Sequence, residues 1–341
     1  MHDPDTQEQR RAWRWRLARM AGLRRPAPGP PSTAPVPACD IPLPGQKVLH
    51  RFLRPQDLRQ YRSLLFAARL IVEGCFAGRH RSPHHDFSAE FADYRPYVPG
   101  DEVRAVDWRA VARTDRLFVK LFRKETDMSA CLVVDQSASM GFSGAAEITK
   151  FEYCAYLAAA IAFLMLQQGD RPGLALRGSS LQGFRPPGGT LRHLHALLAD
   201  LERASPAGST DLAGSLRAIF PLLRRRGLLV VLSDLLEAPE DLFHALAMYT
   251  HRGFAVLLLQ VLSEEELRLP QSGAARFVDP EGPGALHVDP GSIRDAYQRE
   301  LARHLAALRE GARARGIHYQ LVSTATPLSQ ALGDYLTSRG R

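Results

Sequence analysis

From about residue 130 to residue 324, short apolar runs alternate with longer segments in which apolar positions recur every three or four residues. ACLVVD (130–135), GLALR (173–177), LLVVLSD (228–234), FAVLLLQVL (254–262) and IHYQLVST (317–324) have the length and composition of buried strands. Helices are predicted between them. FEYCAYLAAAIAFLML (151–166) is apolar nearly all round, as a helix covered on most sides should be. LRHLHALLADLER (191–203) follows, then TDLAGSLRAIFPLLRRR (210–226), which opens on a Thr/Asp cap and stops before Gly227. PEDLFHALAMYTHR (239–252) starts with proline, 276–289 reads as an irregular hairpin, and a long helix fills about 291–315. This alternation predicts an α/β fold: a doubly wound, mainly parallel sheet with helices on both faces. The strands at 130–135, 228–234 and 254–262 should be central neighbours, with 151–166 packed on one face. Sheets of this kind bind ligands beyond the carboxyl ends of their strands.

Upstream the pattern is less regular. Leu58, Tyr61, Leu65, Ala68 and Leu70–Val72 recur at helical intervals over 55–74, a loop-rich stretch covers 75–116, and LFVKLF (117–122) alternates as a strand does. Residues 1–45 combine RAWRWRLARMAGLRR (11–25) with a proline-rich run that forms neither helix nor central strand. The chain thus divides into a disordered basic and proline-rich tail (1–45), an amino-terminal segment (46–128) and the α/β domain (129–341). Charge adds little. The net +8 is concentrated near the start, where Trp13, Leu17 and Met20 share helical spacing and would suit a peripheral membrane contact. The longest apolar run, Tyr153–Leu166, is shorter than the roughly 20 residues of a spanning helix, and no secretory signal is evident. Cys39, Cys75, Cys131 and Cys154 form no paired framework, which favours a reducing, cytoplasmic location.

Chemistry gathers where the strands should end. After the first buried strand comes Asp135-Gln-Ser137-Ala-Ser139, and in extended backbone residues i, i+2 and i+4 point to one side. One carboxylate and two hydroxyls are hard oxygen ligands, suited to Mg²⁺, Ca²⁺ or Mn²⁺ rather than to zinc. Ser233-Asp234 closes a second strand and brings another carboxylate to the same edge. Thr210, in GSTDL (208–212), enters a helix from a loop and offers a further hydroxyl. Taken singly, Asp234 and Thr210 could equally be caps; three segments converging on one edge favour a metal site.

These residues resemble the metal-ion-dependent adhesion site of von Willebrand factor A domains. Residues 80–125 resemble the hallmark segment of the bacterial family called domain of unknown function 58. The matching positions are Glu90-Phe91, Arg95, Tyr97, Gly100-Asp101, Arg104, Asp107-Trp108 and Ala112-Arg113-Thr114. Two departures stand out: His85-Asp86-Phe87 occupies the place of a glycine common before the S-x-E-F motif, and the amino-terminal membrane helices of many members are missing. The resemblance implies a metal held by Asp135, Ser137, Ser139, Thr210 and Asp234, with the two aspartates acting mostly through coordinated water. It also implies a MoxR-type AAA+ ATPase as partner, since such genes typically adjoin this family. Asp101, Arg104, Asp107, Arg109 and Arg113 read best as an ion-pair network anchored by Trp108.

The leading function is therefore a non-enzymatic, metal-dependent protein-interaction module, an adaptor with a MoxR-type AAA+ ATPase in protein assembly or maturation. A carboxylate from a client or partner would complete the shell of an under-neutralised cation, Mg²⁺ first, Mn²⁺ or Ca²⁺ alternatively. A metal-dependent hydrolase using the same site is the alternative, although no G-x-S-x-G, H-E-x-x-H or Walker A motif occurs. His80, His84, His85, His193 and His195 lack a recognisable ligand spacing. Nucleic-acid binding rests on charge alone, and Arg224–Arg226 already suits a helix carboxyl end.

Overall fold

The computed structural model describes residues 55–61, 63–77, 94–97, 117–120, 128–144, 147–177, 181–209, 211–269, 275–278, 280–281, 285–288 and 290–339. The tail at 1–45, Thr210 and most of the hallmark segment, including its expected ion-pair network, lie outside them. Two compact units emerge: residues 1–78 with 128–341, and residues 79–127. In the smaller unit β1 (Tyr94–Pro96) pairs antiparallel with β2 (Phe118–Lys120), and the Tyr97 amide donates to the Leu117 carbonyl at 2.9 Å.

The larger unit begins with a 3-10 turn (Pro55–Gln60) and α1 (Leu64–Ala77). There follow β3 (Ser129–Asp135), α2 (Lys150–Gln167), β4 (Arg171–Arg177), β5 (Leu181–Arg185), α3 (Leu191–Arg203), α4 (Leu212–Ile219), β6 (Leu228–Ser233), α5 (Pro239–His251) and β7 (Ala255–Leu262). The short α6 (Glu264–Leu267), the β8/β9 hairpin (Ala275–Val278, Ala285–Val288), α7 (Pro290–Ala314), β10 (His318–Ser323) and α8 (Leu328–Arg339) complete it. The sheet order is β10-β7-β6-β3-β4-β5, parallel throughout except for the antiparallel edge strand β5. The expected doubly wound, mainly parallel sheet is the one observed.

Each buried strand divides its side chains between two apolar layers. Ala130, Leu132 and Val134 of β3 join one layer with α1, α2, α3 and α8, while Cys131 and Val133 join the other with α4, α5 and α7. Helix α2 begins with a capping box, Thr149 accepting from the Glu152 amide and the Glu152 side chain from the Thr149 amide. α1 packs on α2, so the helix expected within 46–128 belongs to the sheet-containing unit.

Three expectations need correction. The helix over 210–226 stops at Ile219, because Pro221 cannot continue the hydrogen-bond ladder and the chain tightens into a 3-10 turn over Phe220–Leu222. Strand β5 and helix α8 were not foreseen. What matters for function is that the chain first winds outward from β3 through β4 and β5, then returns to β6 on β3's other side. The winding direction reverses between β3 and β6, and that reversal makes their carboxyl ends the topological switch point of the sheet.

Candidate functional site

Both strands at that switch point run into a carboxylate: Asp135 closes β3 and Asp234 follows β6. β3 pairs with β6 in parallel register, Val134 opposite Leu232, which sets Asp135 and the Ser233-Asp234 pair side by side. The Asp135 Oδ1 accepts from the Ser137 amide at 2.9 Å, and its Oδ2 accepts from the Ser233 hydroxyl at 2.5 Å. Ser137 Oγ lies 2.9 Å from Ser139 Oγ, which donates to Asp234 Oδ2 at 3.0 Å. Four of the five predicted ligands thus come together in one hydrogen-bonded chain across two strand ends, joined at Asp135 through the Ser137 amide and from there on through hydroxyl and carboxylate oxygens. The fifth, Thr210, falls outside the described residues, though its neighbour Asp211 caps α4 by accepting from the Gly214 amide at 2.8 Å.

Several side chains that sequence reasoning passed over hold this arrangement. Lys150 is completely buried, and its ammonium donates to Asp234 Oδ2 at 2.8 Å and to Glu266 Oε1 at 2.6 Å. Glu266 also caps α6 by accepting from the Ser263 amide at 2.8 Å. Behind Asp234, Gln260 Nε2 donates to its carbonyl at 2.7 Å, and Tyr319 donates to Gln260 Oε1 at 2.5 Å. Leu235 adopts a left-handed conformation, φ 49°, with its carbonyl 2.7 Å from His304 Nε2 and its amide donating to Ser233 Oγ. Glu237 accepts from the Leu212 amide at 2.7 Å, tying the loop after β6 to the start of α4. The Ser205–Gly208 loop lies against the Asp135–Ser139 turn: Ala207 and Ala138 exchange backbone bonds with Gln136 and Gly208, and Gln136 Nε2 donates to the Ser205 carbonyl.

The electrostatics follow from burial. Three buried carboxyl groups, Asp135, Asp234 and Glu266, face one buried ammonium. Burial, then the neighbouring Asp234 carboxylate, pushes Asp135 up to about 7 against the hydrogen bonds from Ser233 and Ser137. Glu266 is likewise raised by burial, with Lys150 opposing. For Lys150 burial works downward, but Asp234 and Glu266 outweigh it and hold the ammonium above its ordinary range. The donor set fits a hard divalent cation: carboxylate and hydroxyl oxygens, with negative charge in excess. Among the described residues no three His, Cys, Asp or Glu side chains gather into a metal cluster, so any such ion relies on the serine hydroxyls. His193 sits apart, its Nε2 2.8 Å from the Pro172 carbonyl.

The molecule is thus an α/β protein with a buried cluster of carboxylate and hydroxyl oxygens at the switch point of its sheet. It belongs to the family described as protein of unknown function DUF58, whose model matches residues 93–307. An uncharacterized protein of Mycobacterium tuberculosis is 31% identical over 258 residues, covering 74% of this chain and 80% of that protein. Similar solved structures include an aerotolerance-related membrane protein from Bacteroides fragilis (16% identity, TM-score 0.41, 62% of this chain and 99% of that one). The SpRpn10 VWA domain is another (13% identity, TM-score 0.38, 60% and 94%).

Proposed function

We propose that this chain is a non-enzymatic, metal-dependent protein-interaction module, and that its partner is a MoxR-type AAA+ ATPase acting in protein assembly or maturation. The observation that carries this reading is the hydrogen-bonded chain from the Asp135 carboxylate through the Ser137 amide, and from the Ser137 hydroxyl through that of Ser139 to Asp234. Asp135, Ser137, Ser139 and Asp234, with Thr210 from the adjoining loop, would hold Mg²⁺, or Mn²⁺ or Ca²⁺ in its place. A bound cation would supply an electrophilic point able to take an oxygen ligand from another protein.

The chain's own residues do the rest. Ser233 and the Ser137 amide fix the Asp135 carboxylate, and Lys150 fixes that of Asp234, so neither has to be ordered when a partner arrives. The serine hydroxyls add ligands without adding charge, which leaves attraction for an incoming aspartate or glutamate. Asp135, Ser137, Ser139 and Asp234 are all buried, and a partner carboxylate reaches them only when the neighbouring Ser205–Gly208 loop gives way. That loop is held to the turn by three hydrogen bonds, a local opening cost compatible with reversible capture.

The test is capture of the purified ATPase by the full chain in Mg²⁺, in EDTA, and with Asp135→Ala. Capture should require both the ion and the carboxylate. Undiminished capture by a folded Asp135→Ala protein would overturn the reading.

A further inference from the structure

At the opposite end of the sheet the chemistry inverts. The helices α4, α5 and α7 all cover one face, and each delivers the chain to the amino end of the next strand: β6, β7 and β10, three adjacent strands. The three connections therefore lie side by side along one edge. Arg224, Arg225 and Arg226 occupy the first, Arg252 the second, Arg313 and Arg315 the third, and all six are exposed. The segments 220–227, 248–255 and 311–317 contain no Asp or Glu; the nearest in sequence, Glu310, precedes the third. Contacts confirm the adjacency of the first two, and the strand order places the third beside them. Arg252 donates to the carbonyls of Phe220 and Arg224, the Gly227 carbonyl accepts from the Ala255 amide, and a Cβ on Gly253 would lie 3.8 Å from Arg226 Cδ.

Helix dipoles explain part of this. Arg252 and Arg315 bond carbonyls near helix carboxyl ends, and each guanidinium lies over a phenylalanine, Phe220 and Phe243 respectively. Arg224, Arg225, Arg226 and Arg313 make no such bond and no ion pair among the described residues, so like charges are left adjacent with nothing local to balance them. A row of guanidinium forks without carboxylates is suited to phosphate oxygens.

We infer that this arginine edge is an attachment surface for an anionic phospholipid bilayer. Two observations favour lipid over nucleic acid. Leu222, 42% exposed and preceded by exposed Pro221, places an apolar tip beside the arginines, which suits the boundary between headgroups and acyl chains. No phenylalanine, tyrosine or tryptophan ring of the three segments is free for stacking on a base: Phe220 lies under Arg252, and Tyr249 and Phe254 are buried, which leaves His251 as the one exposed ring. Docked this way, the sheet would stand on the surface with Asp135 and Asp234 at its far end, about 20 Å away for strands of six residues. The site would face outward, towards other proteins.

Co-sedimentation of the full chain tests this, using vesicles of phosphatidylcholine alone and of phosphatidylcholine mixed three to one with phosphatidylglycerol. Binding should need phosphatidylglycerol and fall with salt. Each arginine near an anionic surface strengthens attachment about fivefold, so Arg224→Gln/Arg225→Gln/Arg226→Gln should weaken it on the order of 100-fold. A charge-matched control, Arg69→Gln/Arg192→Gln/Arg299→Gln, should bind nearly as wild type, and both variants should melt within a few degrees of it. Unchanged vesicle binding by the folded Arg224–Arg226 variant, as would follow if residues 11–25 did the anchoring, overturns the inference. So does tighter binding to duplex or single-stranded DNA than to the anionic vesicles.

Discussion

At the scale of single residues, Lys150 is the side chain on which the site depends most. Among the described residues it is the only positive charge in contact with the Asp234 and Glu266 carboxylates, and it has no exposed surface. Removing one member of a buried ion pair strands the other's charge, which costs about 3–5 kcal/mol. Lys150→Met should therefore lower stability by about that much in EDTA, read from chemical denaturation, and adding Glu266→Gln should recover part of the loss. An unchanged midpoint in Lys150→Met would show that the carboxylates are neutralised some other way. None of this was legible from sequence. Asp135, Ser137 and Ser139 fall within five consecutive positions, and Asp234 follows a recognisable strand. Lys150, by contrast, meets its partners across 84 and 116 residues, and nothing local distinguishes it from a solvated helix lysine. Local spacing conveys a motif; the counter-charge that makes a motif stable appears only when distant segments meet.

At the scale of elements, the buried strands and their helices were readable because apolar periodicity is strong there. Boundaries were lost where a single residue overrode the pattern, as Pro221 did at the end of α4. β5 reads LQGFR: an edge strand with a glycine in its middle, antiparallel to β4, and too short to alternate visibly. In α8 the buried positions Leu328, Ala331, Leu332 and Tyr335 do follow helical spacing, so there the signal was present and unread. One glycine governs how β3 and β6, the two site-bearing strands, approach each other. A Cβ at Gly227 would lie 1.9 Å from the Ser129 carbonyl oxygen, which is backbone and cannot swing aside. Gly227→Ala should destabilise the protein by about 1–3 kcal/mol. Because the two strands carry Asp135 and Asp234, the same variant should weaken Mg²⁺ binding measured by calorimetry. A stability loss with full Mg²⁺ affinity would show that the strand ends adjust independently of their amino-terminal spacing.

At the scale of the whole molecule, the expected outcome is that the fold needs neither its tail nor an ion. Residues 1–45 are rich in proline and, apart from Trp13, Leu17 and Met20, lack apolar periodicity, so they have little surface whose burial could offset the entropy of ordering. Limited proteolysis should trim them and leave a core with an unchanged melting midpoint; unfolding of the trimmed protein would show that the tail is part of the domain. Two apolar layers cover both faces of a six-stranded sheet, while the site occupies one end of two strands and already carries Lys150 as an internal cation. Metal binding should thus add only its linkage term, about 1.4 kcal/mol at a free concentration tenfold above the dissociation constant, or a few degrees in the midpoint. Partner capture through a bridging carboxylate depends on the ion outright. Chelation should therefore abolish capture while scarcely moving the melting curve, and Mg²⁺ should restore capture in wild type but not in Asp135→Ala. If the chelated protein instead melts tens of degrees lower, the ion is a structural element of the sheet's end, and the loss of capture reports unfolding rather than a missing ligand.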